Sequence, residues 1–589
     1  MSARTPGGGR GGVRAARAPG RGRTPWRERW PAALLLAAHL ALVLWGAARN
    51  SVTFDENQHL PAGVAIATRG DFSVEPANPP LVKLLCALPP LALGARPPAA
   101  AALAAHSQYA AGESFMRLNA ARYHRLYFAA RALVALLSVA LGVLVWRIAR
   151  RLYGARAGLL ALAFYAGAPE ALAHGGLVTL DVATALGMLG TVYAFWRFAR
   201  GGRWRGWPLV ALACGLTFLT RFTALLLAPT LLLLATLWTL LGAARRPARL
   251  WLGLALLIPA SLLMLQLGYL GHSSFAPLAA HTEFKSRELT TLRERAPWLR
   301  LPVPDDYLEG FDHIAFESQP GFTATYLLGR IRTGAVWYYF PLALLFKWPL
   351  GFLAALAARA VAVGRARPDR RRLARAAVLA VPVALVLGAA MFGAQLNVGV
   401  RYVFAILPPL CVWLGGLAAS AGRAAVGARR ALSRWALAGW LLVGAQAVET
   451  ALAAPWYLSF FNRFAGGPGG GDRLINDSNV DWGQGLIALR EELARRGIAR
   501  VHLAYHGTTD PAIYGIDYVP YTGGRPGPES EWLAVSSYYF VGLTQRMMTR
   551  QGRTDWVTID FHGLWDTPWA AHPAGCMYLF RIRHEDAAP

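Results

Sequence analysis

The sequence predicts a mostly α-helical, polytopic membrane protein with a small α/β domain at its C-terminal end. Three observations predict it. Hydrophobic residues make up 55% of the 589 positions, apolar runs of roughly membrane-crossing length recur along the first three quarters, and arginine clusters flank those runs at alternate ends. Composition this apolar excludes a disordered chain or an ordinary soluble enzyme. Four cysteines (Cys86, Cys214, Cys411 and Cys576) have neither metal-ligand spacing nor the number a disulfide framework needs.

Residues 1–30 form a Gly/Pro/Arg-rich tail, read as a disordered cytoplasmic arm rather than a cleaved signal. Residues 31–453 hold about eleven spans, near 31–48, 127–146, 157–173, 178–196, 206–220, 222–241, 250–270, 345–363, 376–394, 403–421 and 435–453. Longer loops at about 49–126 and 271–344 interrupt them. Residues 454–589 form the C-terminal domain, where Leu486–Arg496 reads as a helix and 501–505, 532–537 and 577–582 read as strands.

The net charge of +28 follows this topology. With the N-terminus inside, thirty basic residues fall on the cytoplasmic side against only Glu28 and Asp369, and the outer remainder balances at thirty of each sign. The excess charge therefore orients the chain in its membrane, with the N-terminus inside and the C-terminal domain outside. No nucleic-acid partner is expected, because the clusters border spans and lack interleaved aromatics.

Chemistry is expected on the outer face. Asp55-Glu56 follows the first span by a few residues, and paired carboxylates there suit general-base work. Asn78-Pro-Pro enforces an extended segment ahead of a short apolar helix carrying Lys83. Only three of the sixty basic residues are lysines (Lys83, Lys285 and Lys347), so a retained lysine marks a place where a compact ammonium is needed. Lys347 lies in an aromatic girdle, Arg221 between two spans, Arg401 just before the tenth, and Asp181 at the start of the fourth. Cations and carboxylates from distant parts of the chain thus converge on one membrane face, as a lipid-linked phosphosugar would require. A carboxylate takes the acceptor proton and cations stabilise the leaving phosphate.

Thr53-Phe-Asp-Glu-Asn-Gln-His-Leu-Pro-Ala-Gly63, Asn78-Pro-Pro-Leu-Val-Lys83, Thr220-Arg-Phe-Thr-Ala, Lys347-Trp-Pro-Leu-Gly and Arg401-Tyr-Val-Phe-Ala-Ile-Leu-Pro occur in this order on this face. Together they resemble the bacterial phospholipid-carrier-dependent glycosyltransferases related to protein O-mannosyltransferases and the aminoarabinose transferases of lipid A, over roughly residues 30–455. The resemblance implies the GT-C fold and inverting transfer of a sugar, a hexose such as mannose or an aminoarabinose-like one, from a polyprenyl-phosphate donor to a protein, lipid or glycan hydroxyl. It places Asp55 and Glu56 at the reaction centre, with Asp55 as base. Lys83, Lys347, Arg401, Arg221, Asn78 and Asp181 are expected to bind the donor and its lipid phosphate, and no cofactor or metal is expected. The family's usual His-Pro-Pro is Asn78-Pro-Pro here, and its common Thr-Lys-Phe lysine is Arg221. A flippase of polyprenyl-linked sugars and an oligosaccharyl transferase are the competing readings. Asp477 and Asp481, in Asp-Ser-Asn-Val-Asp-Trp-Gly-Gln484, are candidates to meet an acceptor or calcium, or to cap the helix that follows.

Overall fold

The computed structural model describes residues 26–281, 284–319, 324–364, 369–393, 396–419, 426–524, 526–543, 545–548, 554–557 and 559–582. Most of the arginine-rich tail and Arg365, Arg367 and Arg423 of the later clusters lie outside them.

Eight helices among the described residues are long and apolar enough to cross a membrane: Arg29–Arg49, Ala120–Tyr153, Asp181–Gly201, Phe222–Leu240, Pro247–Gly268, Arg370–Gly393, Val400–Ala418 and Ser433–Ala453. A ninth crossing is made if Tyr339–Lys347 and Leu350–Gly364, bent by 114° where Pro349 interrupts them, act as one span. The other two of the eleven expected spans are shorter helices. Ala155–Ala166 and Trp207–Phe218 have 12 residues each, about 18 Å at helical rise and well short of a 30 Å hydrocarbon core. The first is cut by Gly167 and resumes as Pro169–Gly175 after Ala168 adopts an extended conformation, the preference of a residue before proline.

The loop between the first two long spans folds into Glu56–Arg69, Leu81–Ala92, Ala100–Ala104 and Gln108–Leu118. Glu56–Arg69 and Leu81–Ala92 cross at Gly63, where a Cβ would meet the Lys83 carbonyl oxygen at 2.1 Å. Only glycine allows that approach. The C-terminal domain holds the helix Leu486–Arg496 and a four-stranded sheet in the order Tyr518–Pro520, Val501–Ala504, Trp532–Ser536, Met577–Arg581. The first three strands are mutually parallel and the last is antiparallel, with Leu503 opposite Ala534 and Ala534 opposite Leu579. The expected helix and three strands are all present, and Tyr518–Pro520 adds an edge.

The domain is seated on the helical body through residues 476–484. Asn479 accepts from the Val400 N–H at 3.0 Å and donates to the Tyr339 hydroxyl at 2.8 Å, the Ser478 hydroxyl donates to the Val398 carbonyl at 2.7 Å, and the Phe54 N–H donates to the Trp482 carbonyl at 2.9 Å. Gly399 permits the contact, since a Cβ there would lie 2.2 Å from the Ser478 hydroxyl. This loop fixes the geometry of the face described next.

Candidate active site

Asp55 occupies the N-cap position of Glu56–Arg69 but does not cap it. Its carboxylate instead accepts from Arg401 at 2.6 Å, joining the first outer loop to the tenth expected span across 346 residues. The Arg401 guanidinium lies 4.0 Å over the Trp482 ring and 5.1 Å over Tyr402, so both faces of the ion pair's cation are aromatic. Asp55 stays about one-fifth exposed, which leaves it reachable. Asp181, at the start of its span, pairs with Arg221, which lies 4.6 Å over the other neighbour of this group, Tyr402. One tyrosine therefore joins the two pairs, Asp55–Arg401 and Asp181–Arg221.

Asp477 adds a third carboxylate. It stands at φ +63°, a conformation rarely adopted by residues other than glycine, asparagine and aspartate, and its carboxylate is tied to the Ser478 N–H at 2.6 Å. Burial and the nearby negative charge of Asp55 push it up to about 6, against the lowering pull of the Ser478 N–H and Arg401. Asp481 is buried, rises to about 7 through burial, and accepts from the Gly483 N–H at 3.0 Å. This is a turn two residues long rather than the cap of Leu486–Arg496, whose N-cap is Gly485.

Several expected ligands are placed otherwise. Glu56, read as a partner of Asp55 in catalysis, is fully buried and faces away from it. It accepts from Thr53 N–H and hydroxyl, the Val178 N–H, and Arg131 Nε and Nη2 at 2.6–3.0 Å. Burial alone would raise its pKa, but Arg131 and the two N–H donors hold it below the usual range. In this structure both oxygens of the carboxylate are fully engaged within the protein.

Lys83 does not reach outward to a lipid phosphate. Its ammonium donates to the Glu75 carbonyl at 2.6 Å and pairs with the Glu75 carboxylate at 3.1 Å, at 2% exposure. Asn78 donates to Glu75 at 2.9 Å and His59 lies 3.1 Å from it. Burial opposes ionisation of Glu75, but Lys83, His59 and Asn78 hold it at about 2. Lys347 is likewise enclosed, donating to the Leu458 and Asn479 carbonyls at 2.7 Å each, 3.8 Å from Glu170. In this structure Lys83, Asn78 and Lys347 thus make their contacts within the protein, to Glu75 and to the Leu458 and Asn479 carbonyls.

Arg131, Glu75, Glu170 and Trp482 were missed as site-shaping residues. Arg131 had a signal, an arginine inside an apolar run. Glu170 and His174 had another, an i, i+4 pair that the helix brings to 3.3 Å. Glu75 and Trp482 had none that sequence spacing supplies. Among the described residues no group of three or more His, Cys, Asp or Glu side chains is arranged to hold a metal ion.

Residues 115–266, which include Arg131, Glu170, Asp181 and Arg221, match the family described as dolichyl-phosphate-mannose-protein mannosyltransferase. Among solved structures, the chain is similar to ArnT from Cupriavidus metallidurans in the apo state, at 16% identity over 83% of this chain and 74% of that one, with a TM-score of 0.43. It is similar to the same protein bound to undecaprenyl phosphate at 17% identity, 82% and 74% coverage and a TM-score of 0.42. The oligosaccharyltransferase AglB from Archaeoglobus fulgidus, in complex with an inhibitory peptide and a dolichol-phosphate, follows at 12% identity, 93% and 76% coverage and a TM-score of 0.45. No curated protein matches the chain closely enough to count as a relative. The family match, over residues 115–266, agrees with the motif resemblance, and the long apolar helices are those of an integral membrane protein.

Proposed function

We propose that the chain transfers a sugar, a hexose such as mannose or an aminoarabinose-like one, from a polyprenyl-phosphate carrier to the hydroxyl of a protein, lipid or glycan acceptor, with inversion at the anomeric carbon. The observation that carries this reading is the Asp55–Arg401 ion pair, partly exposed on the face where Asp181–Arg221 and Asp477 also converge. A carboxylate and a guanidinium in contact are the two groups the reaction needs. In the donor complex Arg401 exchanges the carboxylate for the carrier phosphate, with Arg221 behind it, and Asp55 is freed to act as base.

The acceptor oxygen attacks the anomeric carbon as the bond from that carbon to the phosphate oxygen breaks. The acceptor proton passes to Asp55, and the electron pair leaves on polyprenyl phosphate, whose charge the guanidinium offsets. Asp477, close enough to Asp55 and Arg401 to feel their charges, contributes an ionisable group near pH 6. The arginine distribution supports a reading in which this face lies outside a bacterial inner membrane and the N-terminus in the cytoplasm.

The test is incubation of the full chain, reconstituted in liposomes, with labelled polyprenyl-phosphate hexoses. The expected result is release of polyprenyl phosphate together with labelled product of inverted anomeric configuration. Movement of intact donor across the bilayer with no bond cleaved would establish a flippase and overturn the reading.

A further inference from the structure

At the opposite ends of the same spans lies a second feature that the transfer reaction does not use. A recess of about 220 Å³ opens between the end of Asp181–Gly201, the turn after Leu227–Leu240 and the start of Arg370–Gly388, lined by Trp196, Arg200, Trp238, Gly242, Arg371 and Arg375 among others. Asp181–Gly201 has 21 residues, about 30 Å at helical rise, so the recess sits a full membrane thickness from Asp181.

The recess is a built feature. Trp196 and Trp238 are buried walls, at 3% and 2% exposure. The Trp238 indole N–H donates to the Ala374 carbonyl at 2.9 Å, pinning two spans together. The Ala243 N–H donates to the Trp238 carbonyl at 2.8 Å and the Arg245 N–H to the Ala199 carbonyl at 3.1 Å, which fixes the turn between them. The Arg200 guanidinium lies 5.0 Å over the Trp196 ring.

Among the described residues no carboxylate lines this recess. Among the described residues Arg200, Arg371 and Arg375 make no ion pair, and the neighbouring acid, Asp369, is taken by Arg372 and its N–H. Arg375 and Arg151 stand close enough to Arg200 to repel it. Retention of arginines on the cytoplasmic side accounts for their membrane face but not for the convergence of three of them on one recess. Among the described residues the three guanidiniums around this tryptophan-walled recess have no carboxylate partner, and planar forks match the oxygens of a phosphodiester.

We propose that this recess binds the phosphodiester head group of an anionic phospholipid from the cytoplasmic leaflet, at a site separate from the proposed transfer centre.

The experiment uses the full purified chain in phosphatidylcholine nanodiscs, titrated with phosphatidylglycerol and, separately, with inorganic phosphate, with bound lipid counted by native mass spectrometry. Phosphatidylglycerol is expected to bind at a saturable site. The Arg200→Gln/Arg371→Gln/Arg375→Gln variant is expected to lose at least tenfold in affinity, and Arg245→Gln/Arg246→Gln, on the same face outside the recess, to match the wild type. Should the triple variant fail to insert, Arg375→Gln alone is expected to weaken binding several-fold. Saturable binding of inorganic phosphate with no preference for the lipid would assign the site to a soluble anion and overturn the lipid. Equal losses in both arginine variants would leave only a diffuse surface field, and unchanged affinity in the recess variants would overturn the site itself.

Discussion

Replacing Glu56 by glutamine separates a structural carboxylate from a catalytic one. Both members of the Glu56–Arg131 pair are fully buried. Arg131 also donates to the Ala47, Asn50 and Ser51 carbonyls at 2.7–2.8 Å, closing the junction between the first span and Glu56–Arg69. Glutamine keeps the shape but turns an NH2 group toward a surround made entirely of donors and leaves the guanidinium without a counter-charge. Breaking one partner of a buried pair costs about 3–5 kcal/mol. The loss of a hydrogen bond to a charged group, about 1.5–3 kcal/mol, accounts for much of it. Denaturant unfolding in detergent micelles, followed by tryptophan fluorescence, reads this directly. The Glu56→Gln/Arg131→Gln double variant is expected to fall short of the summed single effects by about 1 kcal/mol or more, because the second change removes the stranded charge. A Glu56→Gln protein as stable as the wild type but unable to transfer sugar would refute the structural assignment and return Glu56 to the chemistry.

Glu75, held at about 2, lends stability that is complete above its ordinary value of 4.5 and is lost as pH falls through 2; the difference amounts to about 3 kcal/mol. Glu75→Gln is expected to flatten that acid limb in unfolding midpoints measured from pH 6 to pH 2. Asp477 and Asp481 titrate in the opposite sense: their raised values of about 6 and 7 mean that stability is full below about 4 and declines as pH rises through 6 to 7. Asp477→Asn, which tolerates the left-handed backbone, is expected to remove part of that decline and to erase a limb near pH 6 in the transfer rate. Lys83→Arg puts a larger head group into the buried position beside Glu75, and thermal melts are expected to register a loss of about 1–3 kcal/mol.

All eleven apolar segments are helical, because an uncharged run of that length has no stable alternative in lipid. Their lengths were less legible. Gly167, the extended Ala168 and the turn at Leu219–Thr220 divide continuous apolar sequence, and hydropathy does not register such breaks. The site residues were legible as a set of charges on one face, while their partners were not. Asp55 and Arg401 are separated by 346 positions, and nothing local couples them. The scarcity of lysine singles out Lys83 and Lys347, and the structure encloses them, by Glu75 and by the Leu458 and Asn479 carbonyls, partners that no local spacing indicates. The sequence reading of Asp477 and Asp481 treated them alike. Only the seating of residues 476–484 on Val398–Arg401 separates the carboxylate near Asp55 from the one closed into a turn with Gly483.

The central claim is that the Asp55 carboxylate accepts the acceptor proton. Its most direct test is the initial rate at which wild type and Asp55→Asn, matched in folded amount, consume a labelled polyprenyl-phosphate sugar in liposomes. The amide cannot accept the proton, and a fall of about 10²–10⁴-fold is expected. A rate equal to that of the wild type would contradict the account.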